Sequence, residues 1–320
     1  MSNTLEIKRR IKSIGNTKKI TRAMEMVSAA KMRKAVSNVL KIRPYAHSAW
    51  RVLTNLARSF ERDRREFPLL DVREVKSILI VVIASNRGLC GSFNSQIFKK
   101  VRNQIGNPEK LKVNRAGDKR IESTIPDKDL KIDFITIGRK GENLVRRLGG
   151  NIVASFPEMT YVPGVAGVKP LANMIIEEYT AKNYDKVAMV YTDYVSTIKQ
   201  ETKIRQILPI SKIDIEKQIA EMDQMAEEYG LEKPKSEYKV EPSPQEVLNN
   251  VFPRLIEMQI YHAILESNAS KESARMMAMR NATDAATDMA HDLTFAYNQI
   301  RQGKITQEIA EISAGKAALE

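Results

Sequence analysis

The chain has 320 residues, of which 42% are hydrophobic, 28% charged and 6% aromatic, and it contains one cysteine. This composition excludes collagen-like and mucin-like proteins, and the single cysteine excludes a disulfide scaffold. The formal net charge of +13 suggests an acidic partner, a nucleic acid or an anionic membrane surface.

The excess positive charge lies in the first fifth of the chain. Residues 1–65 contain 17 Lys and Arg against 4 Asp and Glu, which leaves 35 residues of each sign in the remainder. Residues 214–246, with 10 acidic and 4 basic residues, are locally acidic. The positive charge of such a helix is compatible with a solvated face as well as with a partner-binding surface, so charge alone does not distinguish the two.

The N-terminal segment is predicted to form a long helix. From Leu5 to Arg43 there is no proline and only one glycine. We expect Pro44 to bend this helix rather than end it, because the apolar pattern resumes beyond it. The apolar residues that recur at helical spacing are Ile7, Ile11, Ile14, Ile20, Met24 and Val27.

The central part of the chain is predicted to be an α/β domain. The β-branched run at 77–84 predicts a strand buried on both faces, and Ser92 is expected to cap the helix that follows. Alternating strands and helices favour a largely parallel sheet with right-handed crossovers. The tracts 107–131 and 212–246 are interpreted as excursions or linkers. The further strands are predicted at 134–137, 152–156 and 186–191, with an edge strand at 201–209, and the further helices at 142–148 and 170–182.

A second long helix is predicted at the C-terminal end. Residues 254–302 contain neither glycine nor proline, and they would span about 73 Å at about 1.5 Å per residue. Steps of 4 and 3 residues between small and apolar side chains are typical of a coiled-coil seam. Two long terminal helices with an α/β segment between them predict an antiparallel helix pair, and a folded domain would connect the two helices. The predicted seam is Ala282, Ala286, Met289, Leu293, Ala296 and Ile300, continued by Ile305, Ile309 and Ile312.

Motifs for catalysis or ligand binding are weak. The turn at 86–91 follows the first strand, as a phosphate-binding loop would, but the required spacings are missing there and at 162–167. Cys90 has no histidine within the α/β segment to activate it, and the three histidines are too far apart for a metal-ligand motif. We therefore expect no catalytic residue, no cofactor and no metal.

Three sequence blocks resemble the gamma subunit of F-type ATP synthases. The first is the basic block at 7–35, from Ile-Lys-Arg-Arg to Met-Arg-Lys-Ala, and the second is Asn-Arg-Gly-Leu-Cys-Gly-Ser-Phe-Asn at 86–94. The third comprises Met-Arg-Asn-Ala-Thr-Asp-Ala-Ala-Thr-Asp at 279–288 and Tyr-Asn-Gln-Ile-Arg-Gln-Gly-Lys-Ile-Thr-Gln-Glu-Ile at 297–309. The blocks occur in the family's order and cover both ends and the centre of the chain.

The resemblance implies an α/β protein in which a long antiparallel coiled coil of the N- and C-terminal helices is joined to a central Rossmann-like α/β domain. The expected parts are an N-terminal coiled-coil helix at 1–65, a globular domain at 66–210, a charged linker or insertion at 211–245 and a C-terminal coiled-coil helix at 246–320. The implied function is that of the central rotor shaft of a proton-driven ATP synthase. Such a shaft transmits torque between the membrane c-ring and the catalytic alpha/beta ring, and it is itself non-catalytic.

The resemblance also implies partners and a location. The partners would be the alpha, beta and epsilon subunits and the c-ring, and the chain would lie peripherally on the cytoplasmic face of a bacterial inner membrane. The small-residue tail from Ile312 matches the tip that sits in the apolar bearing. The residues implied to contact the beta subunit are Lys18, Lys19, Arg22, Met24, Arg275, Arg301, Gln302 and Thr306.

Two other classes of function stay open from the residues alone. A nucleic-acid-binding module is suggested by the basic segment 1–65, although its low aromatic content and its apolar stripe count against this interpretation. An enzyme built on the α/β segment would show turnover as an isolated chain, but no motif supports one.

Overall fold

The computed structural model describes residues 4–60, 68–116, 119–161, 164–211 and 244–317, together with five isolated residues between 217 and 227. The first element is the long helix α1, Thr4–Phe60, which has Pro44 in its interior. The prediction that the helix does not end at Pro44 is therefore confirmed.

The described strands form one five-stranded sheet and one hairpin. The five-stranded sheet has the order β5-β4-β1-β6-β7, in which β1, β4, β5 and β6 are parallel and β7 is antiparallel to β6. The predicted parallel sheet with an added edge strand is thus confirmed. In chain order the strands are β1 Ser77–Ile83, β2 Val113–Ala116, β3 Lys119–Glu122, β4 Lys131–Ile137, β5 Asn151–Ser155, β6 Lys186–Tyr194 and β7 Gln200–Leu208.

The hairpin of β2 and β3 was not predicted from the sequence. These strands are four residues each, and they pair antiparallel with each other. They fall in the charged tract 107–131, where no apolar alternation marks a strand. The second tract, 212–246, lies mostly outside the described residues.

Four more helices follow α1 along the described chain. Their bounds are α2 Phe93–Gly106, α3 Arg139–Arg147, α4 Lys169–Thr180 and α5 Pro244–Ala317. The expectation that Ser92 caps α2 through its side chain is wrong. Ser92 has φ −83° and ψ 0°, outside the extended conformation of a capping residue, and its Oγ accepts a hydrogen bond from Nε2 of Gln96 at 3.1 Å.

Strand β1 shows why the sheet is buried on both sides. Its side chains alternate between two apolar clusters. Ile78, Ile80 and Val82 pack with residues of α2 and α3, whereas the intervening Leu79, Val81 and Ile83 pack with α4 and with residues 35–42 and 252–269 of the terminal helices. A strand with both faces covered needs a continuous apolar run, which the sequence at 77–84 supplies.

The chain divides into two compact units. One contains residues 1–29 and 275–320, and the other contains residues 30–274. The first unit, called the terminal unit below, consists of the start of α1 and the end of α5 in its described part. The second, called the globular unit, contains both sheets. The fourfold division expected at residues 65, 210 and 245 stays a prediction.

Candidate partner-binding surface

In the terminal unit, α1 meets α5 along a strip with a seven-residue repeat. Ile7, Thr21 and Ser28 are buried, and Ile14 is half-buried. Seven residues complete nearly two helical turns, so every seventh side chain returns to the same side of the helix. This repeat forms the α1 side of the coiled-coil seam.

Two residues of the apolar stripe predicted on α1, Ile20 and Val27, do not lie in this seam. These side chains are 60% and 54% exposed, and the neighbouring Thr21 and Ser28 occupy the seam instead. A step of one residue turns a helix by roughly 100°, which moves a side chain off the contact strip. Small polar side chains let two helices approach closely, and the apolar pattern alone does not identify them.

The α5 side of the seam differs from the prediction at two positions, where Thr283 and Ala290 lie in the seam instead of Ala282 and Met289. Met279, Thr283 and Ala286 are buried, and Ala290 and Leu293 are half-buried. The seam therefore steps 4, 3, 4 and 3, as a coiled coil requires. Met289, predicted to lie in it, is 54% exposed, because the small side chain of Ala290 takes the position next to it.

A pair of threonines crosses this seam. The Oγ1 atoms of Thr21 and Thr283 lie 2.8 Å apart, within hydrogen-bond distance, and both residues are buried. Oγ1 of Thr283 also lies 2.8 Å from the carbonyl oxygen of Met279, and Oγ1 of Thr21 lies 3.1 Å from that of Lys18. The two hydroxyls are therefore satisfied within the helix pair, as buried polar groups require.

Large apolar side chains are exposed on the terminal unit. Nine of them are at least 46% exposed, and every described residue from 301 to 316 is exposed. The interpretation of Ile305, Ile309 and Ile312 as a continuation of the helix seam is wrong for this reason. A helix segment without buried residues gains no packing energy in its own chain, and exposed apolar surface of this extent marks an interaction site. The nine residues are Leu5, Ile20, Met26, Val27, Met289, Phe295, Ile305, Ile309 and Ile312.

The predicted basic contacts on α1 lie on its outer surface. Lys18, Lys19 and Arg22 are exposed, and Met24 is half-buried. Arg22 forms an ion pair with Glu25 one turn away, with 2.9 Å between Nη1 of Arg22 and Oε2 of Glu25. Lys18 and Arg22 are four residues apart and share a face of the helix, so this face presents adjacent cations to a partner.

The predicted polar contacts on α5 are exposed near its C-terminal end. Arg301, Gln302 and Thr306 are all solvent-accessible, and Oγ1 of Thr306 donates a hydrogen bond to the carbonyl oxygen of Gln302 at 3.0 Å. Arg275 is half-buried. These positions are suited to meeting another protein, and their role in contacting one stays a prediction. Sequence reasoning missed Met26 and Phe295, which only the phase of the helix pair reveals.

The described ranges show neither a metal site nor a membrane-spanning helix. No three His, Cys, Asp or Glu side chains there are grouped so that they could hold a metal ion. None of the helices described is both long and apolar enough to cross a membrane. Cys90 is buried, and its Sγ accepts a hydrogen bond from Nδ2 of Asn94 at 3.2 Å.

The chain resembles known proteins over its whole length. A family model described as ATP synthase matches residues 3–319. The ATP synthase gamma chain of Chloroflexus aurantiacus is 37% identical over 320 residues, covering 100% of this chain and 99% of the relative. The gamma chain of Legionella pneumophila is 34% identical over 319 residues, covering 100% of both chains.

The chain is also similar to chains in solved ATP synthase structures. A chain of the Tetrahymena thermophila mitochondrial ATP synthase central stalk and c-ring has a TM-score of 0.55 at 25% identity, covering 82% of this chain and 99% of that one. A chain from the Euglena gracilis mitochondrial enzyme has a TM-score of 0.60 at 17% identity, covering 99% and 94%, and this likeness concerns the fold. The match of the family model and the full-length gamma-chain relatives at 37% and 34% identity show that the chain belongs to the ATP synthase family, among the gamma chains.

Proposed function

We propose that this chain is the central rotor shaft of a proton-driven F-type ATP synthase. It transmits torque between the c-ring in the membrane and the ring of alpha and beta subunits, and the beta subunits catalyse the reaction. The observation that carries the proposal is the α5 segment 301–316, in which every residue is exposed. Such a segment is stabilised only when another molecule surrounds it.

The paired helices of the terminal unit support a mechanical role. A coiled coil resists twisting because its seam side chains interlock along its length. Its exposed apolar side chains include Met26 and Met289, and methionine packs adaptably against differently shaped surfaces. A shaft needs both properties, since it stays rigid while its surroundings change.

The basic face of α1 supports contact with acidic loops of the alpha/beta ring. Lys18, Lys19 and Arg22 are exposed, and exposed ion pairs contribute only about 0.2–1 kcal/mol each. Contacts this weak are exchanged readily, which suits a shaft that meets successive subunits. We assign the beta contacts to these three residues with Met24 and Arg275, and to Arg301, Gln302 and Thr306 near the end of α5.

The remaining partners follow from the family to which the chain belongs. We propose that the globular unit binds the epsilon subunit and the c-ring, and that the tail from Ile312 enters an apolar bearing. The chain would then be peripheral to the membrane, on the cytoplasmic face of a bacterial inner membrane. A nucleic-acid role receives no specific support, because the apolar side chains of α1 pack within the chain, as at Ile7 and at residues 35–42, or face outward among the cations.

Reconstitution tests the proposal. The isolated chain is expected to be inactive, and adding it to alpha and beta subunits should give ATP hydrolysis that depends on its presence. Coupling of hydrolysis to proton transport should require the chain as well. A complex with full activity and normal coupling in its absence would refute the rotor role, and turnover by the purified chain alone would favour an enzyme instead.

A further inference from the structure

The carboxyl edge of the central sheet is occupied by the chain's own helix. In doubly wound sheets the ligand binds outside the carboxyl ends of the strands, where the strand order reverses. Here that position lies between β1 and β6, which are neighbours in the sheet. In the globular unit, residues 267–274 of α5 contact the last residues of β6 and the segments that follow β1 and β6.

Serine side chains of α5 extend the hydrogen bonding of β6 beyond the end of β1. The pairing of β1 with β6 ends at Val82 and Val190. Two residues further on, the backbone N–H of Thr192 donates to Oγ of Ser267 at 3.2 Å, and its carbonyl accepts from Oγ of Ser270 at 3.2 Å. The helix therefore satisfies both backbone groups of Thr192 at a position where no β1 residue pairs with it.

A third serine binds the turn between β6 and β7. Oγ of Ser273 donates to the carbonyl oxygen of Thr197 at 2.6 Å, and Ser273 is fully buried. Ser267, Ser270 and Ser273 are spaced by three residues, so they lie along one face of the helix. Their hydrogen bonds are directional, which distinguishes this contact from apolar packing.

The segment after β5 also contacts α5 near Ser270 and Ser273, through the side chain of Tyr161. The hydroxyl of Tyr161 donates to Oε1 of Glu272 at 2.7 Å. The ammonium group of Lys271 lies over the Tyr161 ring, 4.1 Å from its centroid. Lys271 and Glu272 are both buried, whereas Tyr161 is 54% exposed, so these contacts join a buried part of the helix to a side chain at the surface.

The glycine-containing turn after β1 completes the contact. Gly91 has φ +53°, and a Cβ added there would meet the carbonyl oxygen of Ala274 at 3.6 Å. Nδ2 of Asn86 donates to the carbonyl oxygen of Pro157 at 2.9 Å, and its Oδ1 accepts from the backbone N–H of Arg139 at 2.9 Å. The turn is thereby tied to the segments after β5 and β4, and it borders α5 at Ala274.

We propose that these three segments form a torsional clamp on α5, and that the turn at 86–91 has this role instead of binding a phosphate. We call the clamp the collar; it consists of residues 86–91, 157–161 and 192–197, holding residues 267–274. Turning the helix within the collar would separate the serine hydroxyls from Thr192 and Thr197 and leave buried polar groups unpaired. The collar thus fixes the rotational setting of α5 at residues 267–274. Its part in passing torque rests on the proposed rotor function.

Hydrogen exchange of the full-length chain tests whether the collar forms. In the Ser267→Ala variant, the Thr192 amide should exchange roughly tenfold faster, the change expected for the loss of one hydrogen bond to a buried group. The Val190 amide should not change. A matched triple variant at exposed serines, Ser37→Ala with Ser92→Ala and Ser95→Ala, should leave Thr192 unaffected. Unchanged exchange in Ser267→Ala, or equal acceleration in the control, would overturn the collar.

Single-molecule rotation of the assembled complex tests its mechanical role. With the beta subunits fixed and a probe attached through Arg102→Cys on α2, the angular variance during catalytic pauses should rise when Ser267, Ser270 and Ser273 are replaced by Ala. The hydrolysis rate should stay the same. Single Ser267→Ala and Ser270→Ala variants are measured too, so that a folding defect of the triple variant does not decide the result. Unchanged variance in the folded variants would overturn the clamp. If the unmodified chain shows no rotation, the rotor function itself fails, whereas the exchange result still decides whether the collar forms.

Discussion

Thr21 of α1 and Thr283 of α5 place their Oγ1 atoms 2.8 Å apart inside the buried seam of the terminal unit. Thr283→Val removes one hydroxyl at nearly constant volume and leaves the hydroxyl of Thr21 without this partner. The Thr21 hydroxyl can still donate to the carbonyl oxygen of Lys18, so we expect the free energy of unfolding to fall by about 0.5–1.5 kcal/mol, the net contribution of one hydrogen bond. Urea unfolding followed by circular dichroism measures this loss.

The double variant of the same pair separates the hydrogen bond from the loss of side-chain shape. Thr21→Val with Thr283→Val should be less destabilised than the sum of the single variants, because replacing both partners by apolar groups is nearly neutral. Thr294→Val is the control, since Thr294 is exposed and its hydroxyl bonds only to the carbonyl of Ala290 among the contacts described. Additive losses in the double variant would contradict the role of the pair.

Ala286 and Ala285 are neighbours with opposite surroundings, and they test the phase of the seam. Ala286 is buried and Ala285 is exposed. Ala286→Leu inserts a larger side chain into a close helix contact, so we expect a loss of about 1–3 kcal/mol. Ala285→Leu should change stability by less than about 0.5 kcal/mol. Thermal unfolding of the two variants checks this, and equal melting temperatures would argue against the assigned seam.

Ile20 and Thr21 illustrate which structural features can be predicted from the sequence and which cannot. An apolar stripe at 3.6-residue spacing reveals a helix, and the β-branched run at 77–84 reveals a doubly covered strand, because both patterns reflect burial directly. The phase of a helix pair is a different property. Where small residues such as Ala286, Thr21 and Ser28 form the contact, large apolar residues are free to face outward, and hydrophobicity alone then selects the wrong side.

The hairpin and the collar could not be predicted from the sequence either, for reasons unrelated to the phase of a helix pair. The four-residue strands β2 and β3 owe their pairing to each other, and they carry too few apolar residues for a periodic signal. The collar joins Thr192 to Ser267 across 75 residues, and serine spacing on a helix has no distinctive meaning until the sheet edge beside it is known. The exposed positions of Lys18, Lys19 and Arg22 agreed with the expected surface because charged side chains avoid burial.

Asp133 in the globular unit predicts an acid-sensitive contribution to stability. Burial alone raises the pKa of this carboxyl, but hydrogen bonds from Asn151, Tyr184 and Lys131 outweigh burial and hold the pKa below its usual value. A depressed folded-state pKa means that ionised Asp133 stabilises the fold above the unfolded-state pKa of about 3.9. This contribution is lost as the pH falls through the folded-state pKa.

Asp133→Asn should therefore lower the free energy of unfolding at pH 7 by about 1.5–3 kcal/mol, the range for hydrogen bonds to a charged group. The difference from the unmodified chain should shrink as the pH falls below about 4. Urea unfolding at several pH values measures both effects. Asp129→Asn is the control, because Asp129 is exposed, and a pH-independent difference for Asp133→Asn would contradict the assignment.

The basic face of α1 predicts a salt-dependent contact with the alpha/beta ring. Replacing Lys18, Lys19 and Arg22 by Gln should weaken assembly by about 0.2–1 kcal/mol for each ion pair lost, and the difference should shrink as ionic strength rises. Titration of alpha and beta subunits at low and high salt measures this. The equally charged triple replacement of Lys8, Arg9 and Lys12 by Gln serves as the control. Equal losses in both triples would mean that net charge matters and the position does not.

Phe295 separates assembly from folding most directly, because it is an aromatic residue that is 69% exposed on α5. Phe295→Ser should leave the unfolding free energy of the isolated chain within about 0.5 kcal/mol of its original value, as is usual for surface substitutions. An aromatic anchor in a protein interface contributes more than about 1 kcal/mol, so assembly with alpha and beta subunits should weaken several-fold. Leu293→Ser, two residues earlier in the half-buried seam, should instead destabilise the isolated chain. If Phe295→Ser assembled normally, the apolar surface around this residue would not be a contact of the shaft, and the partner would have to meet α5 on another face.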